Sequence, residues 1–207
     1  MIAIVDYKMG NLRSVQKAFE HVGARDVVVS DDPLVVGQAD GIVLPGVGAF
    51  RDASENLKTS GMWDVLDKRV AEGTPLLGIC LGMQLLATTG REDGEWEGLD
   101  IIPGTCDRLA GGLKLPHIGW NTVEYTRSSR LFEGIPDGSA FYFVHSYRLV
   151  PIDESSIIGR TEYGVPFASV VQSGSTYAVQ FHPEKSSAAG LRLLANFSDI
   201  VNDRGER

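Results

Sequence analysis

The period of the apolar positions changes part-way along this chain. Ile2–Val5 is wholly apolar, and beyond Gly10 the apolar residues Val15, Ala18, Phe19 and Val22 recur at i, i+3, i+4 and i+7, the spacing of an amphipathic helix. A buried strand followed by such a helix predicts half of a βαβ unit. Residues 26–29 and 41–45 predict two more strands, 62–70 a helix and 75–79 a further strand. Alternating strands and helices imply a parallel sheet covered on both faces. After a loop over 90–98 the pattern shortens to β-like pieces at 105–109, 120–125, 140–144, 146–150, 157–162, 167–172 and 176–181. Glycine or proline separates several of them, which predicts antiparallel pairs added to the parallel sheet. A last helix is expected from near Ser186, with Leu191, Leu194 and Ala195 on one face.

The expected architecture is therefore α/β: a flavodoxin-like three-layer α/β/α fold with a mostly parallel central sheet and antiparallel strands in the C-terminal half. No repeat, low-complexity tract or linker interrupts the chain, so residues 1–207 are read as one domain.

Composition narrows the function. A formal net charge of −8 leaves no basic footprint for a phosphate backbone, so nucleic acid is not expected as a partner. Cys80 and Cys106 are the only two cysteines, too few for a disulfide framework and in keeping with a reducing compartment. The first strand ends in Asp6 without a basic leader or cleavage site, and no apolar run reaches the length of a membrane span, so a cytoplasmic protein is expected. No group of His, Cys, Asp and Glu has zinc-ligand spacing; neither metal nor cofactor is expected.

Functional groups of parallel sheets gather beyond the carboxyl ends of the strands, which nominates residues 6–11, 45–50 and Cys80. In the run TPLLGICLGMQ, over 74–84, an apolar strand stops at Gly78, Cys80 follows, then Gly82 and a helical pattern through Met83, Leu85 and Leu86. This is the sulfur counterpart of the Gly-x-Ser-x-Gly nucleophile elbow. A nucleophile on a sharp strand-to-helix turn sits in strained backbone, flanking glycines let neighbouring elements approach, and a helix N-terminus favours thiolate. A lone cysteine is more often simply buried; here the glycines and the available partners favour a nucleophile. His182 and Glu184, at i and i+2 around Pro183, point to one side if the chain leaves the sheet extended. An imidazole beside the thiol can move its proton while a carboxylate orients it. Gly46 and Gly48 flank Val47 in a loop whose peptide N–H groups could meet an oxyanion. A dinucleotide fingerprint is the weaker reading, because Arg51 stands where the third glycine is needed; a plain turn stays open. Cys106 is expected to be structural, His145 a satisfied core histidine, His117 and His21 surface or locally bonded residues, and Asp93, Glu95 and Glu97 a solvated loop.

Three motifs in this order, Pro45-Gly-Val-Gly, Gly78-Ile-Cys80-Leu-Gly82 and Phe181-His182-Pro183-Glu184, resemble the triad class of glutamine amidotransferases. Within that class Asp6-Tyr7-x-Met9-Gly10-Asn11-Leu12, His117-Ile118-Gly119-Trp120-Asn121 and Phe141-Tyr142-Phe143-Val144-His145-Ser146-Tyr147 look like the glutaminase subunits of imidazole glycerol phosphate synthase. The resemblance implies glutamine hydrolysis by a Cys80–His182–Glu184 triad, with Val47, Gly48 and Leu81 supplying oxyanion donors. It implies L-glutamine bound by Gln84, Glu92, Ser146 and Tyr147. It also implies ammonia delivery to a separate (β/α)8 cyclase subunit, met by Asn11, Ser14, Trp120, Tyr142 and Lys185. A stand-alone thiol hydrolase, a binding module with an idle triad, and an amidotransferase serving another pathway are the competing readings.

Overall fold

A computed structural model describes residues 1–205. In chain order the first half holds β1 (Ile2–Val5), α1 (Leu12–His21), β2 (Val27–Ser30), α2 (Pro33–Val36), β3 (Gly41–Gly46), α3 (Phe50–Thr59), α4 (Met62–Ala71), β4 (Leu76–Cys80) and α5 (Leu81–Gln84). The second half holds β5 (Thr89–Gly90), β6 (Trp96–Glu97), β7 (Gly104–Arg108), β8 (His117–Thr122), β9 (Glu124–Tyr125), β10 (Ala140–His145) and β11 (Tyr147–Pro151). It closes with β12 (Ile157–Tyr163), β13 (Val165–Ser173), β14 (Thr176–Val179) and α6 (Ser187–Gly205), with a short 3-10 turn at Pro183–Lys185.

The main sheet runs β2-β1-β3-β4-β14-β13-β12-β9. Strands β2, β1, β3, β4 and β14 pair in parallel, and β13, β12 and β9 continue the sheet antiparallel. Because side chains alternate across a strand, Ile2 and Ile4 of β1 enter one core with Val43, Ile79, α1 and α6. Ala3 and Val5 enter the other with Ile42, Leu44, α3 and α4. Both faces of β1 and β3 are thus covered, as their continuous apolar runs require. The fold is α/β with helices on both sides of a mixed, mostly parallel sheet, as the hydrophobic pattern predicts.

Four expectations change. The antiparallel strands do not all extend the main sheet: β8 and β10 form a two-stranded sheet, and β11, β7, β5 and β6 a four-stranded one. Residues 90–98, expected as a loop, contribute the small β5–β6 pairing. Helix α3, which the pattern reading omits, buries Phe50, Ala53, Ser54 and Leu57 at i, i+3, i+4 and i+7. On α6, Leu194 is buried as expected, whereas Leu191 and Ala195 are only half-buried and Leu193, Phe197 and Val201 complete the buried face.

Candidate active site

Register brings the expected reactive segments together. Gly46, the last residue of β3, pairs with Cys80, the last residue of β4, so the Val47–Gly48 loop leaves the sheet beside the sulfur. On the other side Val179 of β14 pairs with Ile79, so Gln180, Phe181 and His182 leave beside it as well. Three stretches far apart in sequence emerge from the carboxyl ends of three neighbouring parallel strands, the place where such sheets collect chemistry.

Cys80 occupies φ 55°, ψ −108°, a left-handed strain for a side chain with a Cβ. The flanking glycines serve close approach. A Cβ on Gly82 would collide with the Leu44 carbonyl of β3, and one on Gly46 with the Tyr7 hydroxyl and Leu81. Tyr7 is buried and donates to Pro45 O at 2.7 Å, pinning the base of the oxyanion loop. Gly48 holds φ 111°, open to glycine and strained for other residues. One part of the elbow differs from expectation: α5 is four residues long, so its dipole is small and polarisation of the sulfur falls to side chains around it.

His182 Nδ1 lies 2.9 Å from Glu184 Oε1, with side-chain exposures of 4% and 2%. The two do not meet along an extended strand as expected; Pro183 opens a 3-10 turn that folds the carboxylate back onto the ring. Ser186 Oγ donates to His182 O at 2.6 Å and accepts from Tyr142 N at 2.9 Å, tying that turn to β10. Burial disfavours a charged ring, but the Cys80 sulfur and the Glu184 carboxylate together outweigh it, and the imidazole is pushed up to about 9. His182 Nε2 is buried, and the Cys80 sulfur stands first among the groups that raise the ring. The Cys80 thiol donates to Val144 O at 3.9 Å, and Gln180 Nε2 donates to the sulfur at 3.8 Å.

A cavity of about 360 Å3 opens over the sulfur, lined by Val47, Gly48, Cys80, Leu81, Gln84, Glu92, Ser146 and Tyr147 among others. Every residue expected to touch glutamine or an oxyanion is on its wall. Gln84 Nε2 donates to Tyr147 O at 2.9 Å and to Gln180 Oε1 at 3.1 Å, so both its hydrogens are used and only its oxygen is free for a ligand. Glu92 Oε2 accepts from Phe50 N at 2.7 Å, at the start of α3.

Asn11, Trp120 and Lys185 are exposed, while Ser14 and Tyr142 are half-buried. Trp120 meets Tyr142 edge-on, ring centroids 6.1 Å apart, and the Pro183–Lys185 turn packs against both α1 and β10. None of these five residues lines the cavity. His145 is buried as expected, donating through Nδ1 to Tyr147 O at 2.9 Å. Burial pushes it down to about 4, against the opposing pull of that carbonyl, with His117 and His182 adding to the fall. His117 is not at the surface: it is 3% exposed, stacked on Phe143 and Tyr163, and its Nδ1 lies 3.0 Å from His145 Nε2. His21 is exposed, Cys106 is buried with its thiol pushed up by desolvation, and Asp93, Glu95 and Glu97 are solvated. Gln180 and Val144, both in contact with the sulfur, escape sequence reasoning because neither belongs to a side-chain type that announces catalysis.

A thiol on a strained elbow beside an imidazole backed by a carboxylate is the arrangement of a nucleophile with its base, and residues 3–200 match the model of glutamine amidotransferase class-I. The chain belongs to that family. It is 52% identical over 204 residues to the imidazole glycerol phosphate synthase subunit HisH of Moorella thermoacetica, covering 99% of this chain and 97% of that protein. The HisH proteins of Syntrophotalea carbinolica and Aquifex aeolicus are 49% and 50% identical, over 97% and 94% of this chain and 100% and 94% of their own lengths. Among solved structures, a crystal structure of a glutamine amidotransferase superposes with a TM-score of 0.77 at 21% identity, covering 98% of this chain and all of that one, and shares the fold.

Proposed function

We propose that this chain is the glutaminase subunit of imidazole glycerol phosphate synthase, a single amidotransferase domain working in the cytoplasm. The sulfur of Cys80 attacks the side-chain carbonyl carbon of L-glutamine. Peptide N–H groups of Val47 or Gly48 and of Leu81 meet the oxygen as it becomes an oxyanion; one such donor contributes about 3 kcal/mol of transition-state stabilisation. His182 holds the thiol proton on Nε2, kept in orientation by Glu184 at Nδ1, and returns it to the departing nitrogen. Carbon–nitrogen cleavage leaves a γ-glutamyl thioester and ammonia. Water, giving its proton to His182, then opens the thioester and releases glutamate.

The free oxygen of Gln84 accepts from the substrate's amide N–H. Glu92 offers a carboxylate to the α-ammonium, and the backbone at Ser146 and Tyr147 receives the α-carboxylate. Ammonia passes to a (β/α)8 cyclase subunit seated on Asn11, Ser14, Trp120, Tyr142 and Lys185. There it completes imidazole glycerol phosphate and releases aminoimidazole carboxamide ribotide. The near-full-length likeness to HisH proteins supports this pathway over a stand-alone hydrolase or another amidotransferase.

The observation that carries the reading is the convergence of Cys80 with a buried, carboxylate-bound His182 at the ends of adjacent strands. Reconstitution with a cyclase tests it. Cys80→Ala should end glutamine-dependent synthesis and leave synthesis from added ammonium intact. Retained use of glutamine by that variant would remove Cys80 from the role.

A further inference from the structure

Gln180 is wholly buried and points its Nε2 at the Cys80 sulfur from 3.8 Å. A carboxamide can present nitrogen or oxygen, so the direction of this contact has to be derived from the network around it. The anchor is Tyr147 O, which can only accept. Gln84 Nε2 therefore donates to it, and the same nitrogen donates to Gln180 Oε1. With its oxygen committed, Gln180 is left with an N–H toward the sulfur.

The same carbonyl is held from its other side. His145 Nδ1 donates to Tyr147 O, which leaves its Nε2 to accept from His117 Nδ1 at 3.0 Å. His117 Nε2 then accepts from Asn121 Nδ2 at 3.3 Å, and that amide is oriented by its own bonds to Glu162 O at 2.9 Å and from Thr122 N at 2.8 Å. Burial lowers both imidazoles toward the neutral form that this sequence of donors and acceptors requires. One unbroken chain of hydrogen bonds runs from Asn121 on β8, through His117, His145, Tyr147 O, Gln84 and Gln180, to the reacting sulfur.

We infer that Gln180 is a further catalytic residue, whose locked N–H steadies the anionic sulfur as the thioester forms and breaks, and that Gln84, His145, His117 and Asn121 are positioning residues that keep it aimed. A hydrogen bond to a charged sulfur is stronger than one to a neutral thiol, so the contact acts where the charge appears. Strand β8 also carries exposed Ile118 and Trp120 on its outer face, so the chain starts on the strand that meets the proposed partner. The inference rests on Cys80 being the nucleophile.

The test measures alkylation of Cys80 by iodoacetamide, a neutral electrophile that needs no glutamine site, beside steady-state glutamine hydrolysis in the cyclase complex. Gln180→Leu should slow alkylation about tenfold and lower kcat similarly with little change in KM. Gln180→Glu, which keeps the shape but turns an acceptor toward the sulfur, should slow both further. Asn121→Ala, at the half-exposed end, should slow alkylation by about twofold to threefold and keeps the test readable if the Gln180 variants do not fold. Unchanged alkylation in folded Gln180→Leu and Gln180→Glu, or in Asn121→Ala where those two fail to fold, overturns the inference. Cys80→Ala separates the two failures: if it still hydrolyses glutamine the nucleophile assignment falls, whereas an inactive Cys80→Ala beside unaltered Gln180 variants sinks the inference alone.

Discussion

Glu184 Oε1 sits 2.9 Å from His182 Nδ1 with both side chains almost wholly withdrawn from solvent, so the carboxylate orients the ring and, with the Cys80 sulfur, holds it protonated. Glu184→Gln keeps the shape and removes the charge. It should lower kcat roughly a thousandfold or more, because the ring loses both its orientation and its stabilised protonated form. Stability should fall too, by about 3 kcal/mol at neutral pH, the typical cost of breaking a buried ion pair from one side. The sign with pH is fixed by the ring: its value in the folded chain is raised to about 9 from 6.5. Its contribution is complete below about pH 6.5 and is lost as pH rises through about 9. Urea denaturation across that window should show falling stability in the parent protein and a flatter profile in Glu184→Gln.

An acid limb should come from the histidine pair. His145 is lowered to about 4 from 6.5 and His117 is lowered as well. Each favours the folded state while neutral, so stability is complete above about pH 6.5 and is lost as pH falls toward about 4. For His145 alone the shift amounts to roughly 3 kcal/mol. The charged or titratable groups facing the pair are His182 and the Tyr163 ring stacked on His117. His145→Gln should lose stability at neutral pH and show a shallower acid decline in denaturant midpoints. An undiminished decline in that variant would place the acid-sensitive group elsewhere.

How much of this is legible in sequence varies with how local the cause is. The runs of β1, β3 and β4 are readable because strands covered on both faces must be apolar throughout. Gly78, Cys80 and Gly82 are readable because close approach and a strained turn leave a spacing signature. Helix α3 carried its signal too, in Phe50, Ala53 and Leu57. The division of the antiparallel strands into separate sheets was not readable, since which edge β8 or β7 joins is decided by partners far along the chain. His117 is expected at the surface or in local hydrogen bonds; the local bond to Asn121 is present, but the burial is not foreseen because the rings that cause it, Phe143, Tyr163 and Phe167, come from three other strands. Gln180 gave no local sign; its role is visible only once Gln84 and Tyr147 O are seen beside it.

The elbow glycine predicts its own variant. A Cβ on Gly82 would run into the backbone carbonyl of Leu44, in the middle of β3, where no flexible side chain can give way. Gly82→Ala should therefore push α5 away from β3 and cost roughly 3 kcal/mol. At about 2–4 °C per kcal/mol for a chain of this size, the thermal midpoint should drop by around 10 °C. Differential scanning calorimetry measures it; an unchanged midpoint would show that the turn is looser than its glycines suggest.

Trp120 is 54% exposed and Ile118 59%, both on the outer face of β8, with Tyr142 beside the indole. Apolar side chains clustered in water mark a surface that another protein covers. Tryptophan is also the residue type that most often dominates binding energy once desolvated. Since Trp120 supports little of the interior, Trp120→Ala should leave the thermal midpoint of the isolated chain within about 1 °C. The same change should weaken binding to the proposed (β/α)8 cyclase by about 2 kcal/mol, close to thirtyfold, measured by titration calorimetry. Leu34→Ala, at an even more exposed position on α2, supplies the comparison and should bind like the parent. If Trp120→Ala binds equally well, the partner sits on another face, and ammonia must leave the Cys80 cavity by a route that does not pass β8.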